Sequence, residues 1–139
     1  MPINVIWEND AKTIVRIDIS GKWGWVELRR AVEQVIAEAG DQPYHCIMNY
    51  VAGVTVPVDL LSIGRQTTTI IPPTLRTVVS VIGRNMLLKT LGDAYHTFYG
   101  NRQRNIRFFT VSTLQDAYLV LENEGIIADS RLHADQDAS

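Results

Sequence analysis

The stretch that decides the fold is YHCIMNYVAGVTVPVDLLSIGRQTTTII, residues 44–71. Its first seven residues are almost continuously bulky, which is typical of a central strand covered on both faces. Pro57 is placed to be the first residue of a helix, because its missing N–H has no intrahelical acceptor there. Asp59 falls in the first turn of that helix, where a carboxylate interacts favourably with the helix dipole. The stretch therefore predicts a strand that crosses into a helix.

The helix predicted after Pro57 contains residues that form helices poorly. Gly64 and the threonine run at 67–69 lower its intrinsic propensity. Its stability must therefore come from packing against the rest of the protein. Pro72 and Pro73 end the helix, and we expect it to be a docked but mobile element beside the central strand.

The residues before this crossing predict a hairpin and a helix. The β-like runs at 3–7 and 13–20 are separated by a short polar connection, as in an antiparallel hairpin. A helix from about Trp25 to Ala39 follows, with Gly24 as its N-cap. Its apolar residues recur at three- and four-residue spacing, and they are Leu28, Ala31, Val32, Val35, Ile36 and Ala39. This stripe is expected to dock on a sheet.

The residues after the crossing predict a second strand and helix. Residues 75–82 are rich in β-branched side chains, which favours a strand. Asn85 is the predicted N-cap of a helix that runs to about Tyr99, and Gly100 is its predicted stop.

The last part of the chain predicts one more strand and helix. A polar loop at 101–105 leads into a short strand at 106–111. Ser112 with Gln115 has the pattern of a capping box, which opens a last helix that ends before Gly125.

The predicted order β-β-α-β-α-β-α-β-α indicates an α/β fold. Strands that alternate with helices imply a mixed, mostly parallel sheet of about five strands, with an N-terminal antiparallel hairpin and about four packing helices. A chain of 139 residues is long enough for one domain to bury its own core. We expect a single domain at 1–125 and a polar C-terminal tail at 126–139.

Composition excludes several classes of protein. With 46% hydrophobic and 20% charged residues, the chain is neither disordered nor membrane-embedded. No apolar run approaches the roughly 20 residues of a spanning helix. The start lacks the basic and apolar regions of a secretory signal, so a cytoplasmic location is expected.

Charge and cysteine content add two further expectations. The net charge of −2 gives no overall attraction to nucleic acid. The small basic cluster of Arg102, Arg104 and Arg107 is expected to be solvated surface. Cys46 is the single cysteine and lies in an apolar run, so it predicts a buried free thiol.

Motifs of catalysis and cofactor binding are sparse. The chain has no Gly-x-Ser-x-Gly elbow, phosphate loop or dinucleotide fingerprint. His45 and Cys46 are neighbours on a strand, so their side chains point to opposite faces. His96 has no second ligand at metal-binding spacing along its helix. The sequence predicts no cofactor and no metal. An enzyme would need a constellation that only folding assembles, from His45, His96, Asp59 and Arg84.

Several short segments carry a resemblance to a known family. They are Ile19-Ser20-Gly21, Val54-Thr55, the helical residues 58–61, Val81-Ile82-Gly83, and Phe109 followed by residues 113–117. Together with the order of elements over roughly residues 3–124, they resemble the STAS domain of sulphate transporters and anti-sigma-factor antagonists. The resemblance implies a regulatory domain without catalytic activity that binds a protein partner.

The resemblance also places a functional turn at the start of the second helix. In the bacterial anti-sigma-factor antagonists this turn carries Asp-Ser and a glycine, and a partner kinase phosphorylates the serine. Here residues 56–59 read Val-Pro-Val-Asp, with Thr55 nearby and Ser62 a full turn inside the helix. The resemblance therefore implies partner binding through the surface at 54–63, a homodimer included, without a phosphorylation switch.

The two helix starts are also candidate sites for an anion. Both present free N–H groups at the positive end of a helix dipole, and Arg84 lies beside the second. Ligands gather at the carboxyl ends of parallel strands. The alternative is that Arg84 and Asn85 only cap and solvate a loop. The candidate residues for a ligand or partner are Thr55, Pro57, Asp59, Ser62, Arg84 and Asn85.

A function of a different class also fits the predicted layout. Some STAS-related folds resemble lipid-binding modules, and the alternative hypothesis is a carrier of a small molecule or lipid. Such a carrier would use an apolar pocket between helix and sheet.

Overall fold

The computed structural model describes residues 2–51, 53–99 and 106–128, with 95–99 described by their backbone alone. The strands are β1 (Ile3–Trp7), β2 (Ile14–Ile19), β3 (Tyr44–Tyr50), β4 (Leu75–Val81) and β5 (Arg107–Val111). The helices are α1 (Trp25–Ala39), α2 (Leu60–Ile70), α3 (Met86–Tyr99) and α4 (Leu114–Asn123). This order confirms the predicted α/β fold. No helix in the described ranges has both the length and the apolar character needed to span a bilayer.

The strands form one sheet in the order β1-β2-β3-β4-β5. β1 is antiparallel to β2, and the other neighbouring pairs are parallel. Each crossover moves the chain one strand in the same direction, so right-handed connections place α1, α2 and α3 on one face. We call this the three-helix face. α4 follows the last strand and packs on the opposite face, the α4 face.

The core divides between the two faces because side chains alternate along each strand. On β2, Val15, Ile17 and Ile19 are buried on the three-helix face, whereas Arg16 and Asp18 point to the α4 face. The buried residues of α1 are Leu28, Ala31, Val35 and Ala39, as its stripe predicts. On the α4 face, a second cluster is built from Ile47, Val79, Ala117, Tyr118 and Leu121.

The start of α2 corrects the prediction for Pro57 and Asp59. Leu60 N donates to Pro57 O at 3.2 Å, which closes a turn before the helix. The first helical bond runs from Ile63 N to Asp59 O at 3.0 Å, so Asp59 is the N-cap and Pro57 lies outside the helix. Residues 57–59, which the position of Pro57 predicted to be helical, form this turn instead.

The cap of α4 also differs from the prediction. Thr113 is the N-cap, and its Oγ1 accepts a hydrogen bond from Asp116 N at 3.1 Å. Ser112 with Gln115 is therefore wrong by one residue. β5 ends at Val111, and Ser112 connects the strand to the helix. The hydroxyl of Thr113 rather than that of Ser112 therefore caps α4.

Two predicted caps are confirmed. Glu27 Oε2 accepts from Gly24 N at 3.0 Å at the start of α1, and Asn85 Oδ1 accepts from Leu88 N at 3.0 Å at the start of α3. The predicted stop at Gly100, the loop at 101–105 with its two arginines, and the tail from 129 onward lie outside the described residues.

Candidate functional site

A cavity of about 200 Å³ lies between the sheet and the helices of the three-helix face. The sheet contributes alternate residues of its strands, among them Ile17, Cys46, Met48, Val78 and Phe108. The helices contribute Leu28, Val32 and Val35 from α1, Leu60, Ile63 and Thr67 from α2, and Leu88, Leu91 and Gly92 from α3. Apolar side chains therefore form most of the wall, which is typical of a ligand pocket.

The cavity persists because small residues face it where larger ones would fill it. Gly64 on α2 and Gly92 on α3 both line the space. A methyl group added at Gly92 would meet no heavy atom of the described side chains within 4 Å. Protein interiors are otherwise close-packed. At roughly 30 Å³ for each water-sized group, the volume of about 200 Å³ has room for about seven of them.

The exposed lining residues show where the cavity opens. Among the described lining residues, Leu61, Lys89 and Thr110 are exposed. They belong to the first turn of α2, the first turn of α3 and the end of β5. All three positions lie at the carboxyl end of the parallel strands, so the mouth is at the end of the sheet where α/β proteins bind ligands.

The opposite, inner end of the cavity is closed by buried residues. Tyr44 and Leu75 stand at the amino ends of β3 and β4, and both are buried. Burial raises the pKa of Cys46 to about 12. At the carboxyl end of β3, burial, with the Cys46 thiol as a smaller cause, also raises the pKa of Tyr50 to about 12. These groups are neutral at physiological pH, so they place no charge on the wall.

Two polar side chains of the described lining, Lys89 and Trp23, can only donate hydrogen bonds, whereas its hydroxyl groups can both donate and accept. Lys89 is the one charged residue among the described lining residues, and none of them is acidic. The hydroxyl-bearing residues Ser80 and Thr110 are register partners on β4 and β5, near the mouth. Trp23 Nε1 is buried and meets no acceptor within the described part of the chain. The lining therefore suits a ligand that supplies acceptor atoms.

The six residues predicted as a binding site lie at this same end of the sheet. Thr55, Pro57, Asp59 and Ser62 belong to the connection into α2 and its first turn, and Arg84 and Asn85 precede α3. Because β3 and β4 are parallel, both helix starts do open at one end. None of the six lines the cavity, although their neighbours do.

The predicted residues do not converge on one point. Thr55 N donates to Gly21 O at 2.8 Å, and Ser62 Oγ accepts from Gln66 at 3.2 Å. Asp59 and Arg84 are exposed. Across the described ranges, no hydrogen bond or ion pair joins any two of the six. Anion binding at these helix starts stays a prediction.

No described contact joins any two of the residues that an enzyme would need, which are His45, His96, Asp59 and Arg84. His45 Nδ1 lies 2.8 Å from Thr77 Oγ1 on the α4 face, while Cys46 lines the cavity on the other face. Burial lowers the pKa of His45, and Arg76 adds to the shift. The His96 side chain lies outside the described residues. The described part of the chain contains no group of three or more His, Cys, Asp or Glu that suits a metal.

The α4 face contains a buried polar network that no sequence pattern predicted. Tyr118 OH donates to Glu8 Oε1 at 2.7 Å, and Arg16 Nη1 donates to Tyr118 OH at 3.3 Å. Arg16 Nε also lies 3.0 Å from Asp18 Oδ1, which accepts from Asn49 Nδ2 at 2.9 Å. Burial raises the pKa of Tyr118, and the bond to Glu8 adds to the shift. These contacts fasten α4 to the β1–β2 edge and have a structural role.

Comparison with protein-family models, with curated proteins and with solved structures gives no match. The resemblance to the STAS domain therefore stays a prediction from the sequence. The function must be argued from the cavity and its mouth.

Proposed function

We propose that this protein binds a small, largely apolar molecule in the cavity of the three-helix face. The observation that carries the proposal is the apolar chamber of about 200 Å³ with its mouth at the carboxyl end of the sheet. Ligand pockets of α/β proteins combine this position with these walls.

The energetics of the empty chamber support the same proposal. A residual cavity costs about 24 cal/mol per Å³, because its lining loses van der Waals contacts. For about 200 Å³ the upper bound of that cost is about 5 kcal/mol. A ligand that fills the space restores the lost contacts and binds with part of that energy.

The size of the chamber sets the size and affinity of the ligand. Room for about seven water-sized groups corresponds to a ligand of about seven non-hydrogen atoms inside the protein. Ligands of this kind gain between roughly 0.3 and 1.5 kcal/mol per atom. For about seven atoms this gives about 2–10 kcal/mol, so the dissociation constant should lie between tens of millimolar and tens of nanomolar.

α2 is the wall best suited to move when a ligand passes. Its glycine and threonines give it low helix propensity. Thr67 Oγ1 donates to Ile63 O at 2.8 Å, a bond that competes with the regular helical pattern. Leu61 in its first turn forms one side of the mouth.

Native mass spectrometry of freshly purified protein tests the proposal. We expect an added mass of a small apolar compound, or a complex that forms when such compounds are supplied. Gly92→Leu, which fills the chamber, should lower the bound fraction, whereas Thr90→Leu on the exposed side of α3 should not. A protein that takes up none of a panel of small apolar molecules would contradict the proposal.

A second candidate function is the STAS-like interaction domain, supported by exposed apolar side chains. Val58 is fully exposed, and Met86 and Leu87 are 67% and 54% exposed at the start of α3. All three residues lie at the same end of the sheet, and clusters of exposed apolar side chains mark protein contact sites. Light scattering and pull-down test this function with the wild type and a Val58→Ser, Met86→Ser variant. A wild-type protein that stays monomeric and captures no partner would count against it.

A further inference from the structure

We infer that the ligand is an amphiphile with an anionic head group, which Lys89 holds at the mouth while the apolar chain fills the chamber. The inference rests on the proposed function and names the class of ligand. It follows from the uneven distribution of polar groups along the cavity. The single described charge stands at the open end, and the described residues of the closed end, Tyr44 and Leu75, are buried and uncharged.

Lys89 is placed to accept an anion. It lies in the first turn of α3, where the helix dipole adds positive potential. No carboxylate of the described residues lies within 4 Å of its ammonium group. Its aliphatic stem can cover apolar surface while the charge stays in water. The charge is therefore available to a ligand at the mouth.

Other donors near the mouth support the same head group. Ser80 and Thr110 are paired in register on β4 and β5, and both line the cavity close to its opening. Trp23 Nε1 is a buried donor without an acceptor in the described residues. A carboxylate or phosphate brings several acceptor lone pairs to such a set. A cationic head group would meet repulsion from Lys89 and would bring no acceptor to Trp23 Nε1, whereas the two hydroxyls could pair with either kind of head group.

The volume selects the length of the chain. At roughly 30 Å³ per group, about 200 Å³ accommodates about seven methylene-sized groups. Octanoate therefore matches the chamber, with its carboxylate at Lys89 and its chain directed past Leu88 and Val78 towards Cys46.

The test compares octanoate, octanol and octylamine, which share one chain and differ in head group. Each is titrated into the protein at neutral pH and low salt, with binding followed by NMR chemical shifts. An exposed charge pair gives a factor of up to about five in affinity. We expect octanoate to bind more tightly than octanol by about that factor, and octylamine to bind most weakly.

Variants then assign the difference to Lys89. Lys89→Gln should bring octanoate down to the affinity of octanol, and Lys89→Arg should restore most of the preference. Lys22→Gln removes the same charge from an exposed position at the same end of the sheet and should leave the preference intact.

The outcomes separate this inference from the proposed function. Equal binding of octanoate and octanol, lost in both cases with Gly92→Leu, would overturn the anionic head group and leave the cavity function standing. A preference that Lys22→Gln reduces as much as Lys89→Gln would also overturn the assignment to Lys89. Failure of all three compounds to bind would overturn both.

Discussion

Gly92→Leu should make the protein more stable while it weakens ligand binding. Gly92 lies within α3 and lines the chamber, and among the described residues a methyl group there would meet nothing within 4 Å. The leucine side chain would therefore enter empty space rather than displace its neighbours.

The magnitude has two parts. Burial of a leucine side chain gives about 1.5–3 kcal/mol. Replacing glycine inside a helix by a good helix former adds up to about 1 kcal/mol. Imperfect fit in the chamber reduces the first part, so we expect the free energy of unfolding to rise by about 1–3 kcal/mol. Gly92→Ala isolates the helix effect and should give about 1 kcal/mol or less.

Urea unfolding followed by circular dichroism measures these changes, and octanol titration measures the affinity of each variant. Thr90→Leu places the same side chain on the exposed side of α3 and should stay within about 0.5 kcal/mol of the wild type. Gly92→Leu should also weaken octanol binding by a factor of ten or more, since it fills about half of the chamber. The reasoning is refuted if Gly92→Leu is no more stable than Gly92→Ala, or if it binds octanol as the wild type does.

Three further changes test the packing around the site. Tyr118→Phe removes the donor to Glu8, whose side chain is only 3% exposed, and should lower the free energy of unfolding by about 1–3 kcal/mol in a urea titration. Asn85→Ala removes the α3 cap and should cost about 0.5–2 kcal/mol by thermal unfolding, with no loss if the cap is dispensable. Burial raises the pKa of the Cys46 thiol from 9.0 to about 12. The contribution of the neutral thiol to the free energy of unfolding is therefore complete below pH 9 and declines as the pH rises towards 12. Cys46→Ala should flatten that decline, and an unchanged slope would show that the thiol is not responsible.

The sequence was sufficient where structure is determined locally. The period of apolar residues and the glycine cap gave α1 its bounds, and the asparagine cap placed the start of α3. Local rules were insufficient where two neighbouring solutions compete. Pro57 could open either a turn or a helix, and the hydroxyls at 112 and 113 could both cap α4, so small packing differences decided each case.

The six residues predicted as a binding site lie at the same end of the sheet as the mouth of the cavity, but none of them lines it. Five of the six predicted residues lie on the connections and Ser62 lies in the first turn of α2, whereas the mouth of the cavity is lined by neighbours such as Leu61 and Lys89. Gly64 signalled a weak helix, but an empty chamber depends on the distance between helix and sheet, which no local pattern encodes. The hydrogen bond between Tyr118 and Glu8 joins residues 110 positions apart in the chain, so no local pattern could predict it either.

The most direct test of the cavity as a ligand site is to locate the bound ligand by NMR. Intermolecular NOEs between octanoate and selectively methyl-labelled protein report which side chains contact the chain. The account predicts NOEs from the terminal part of octanoate to Ile63, Val78 and Leu88, which line the chamber. NOEs confined to the outer surface at Val58 and Met86 would contradict it.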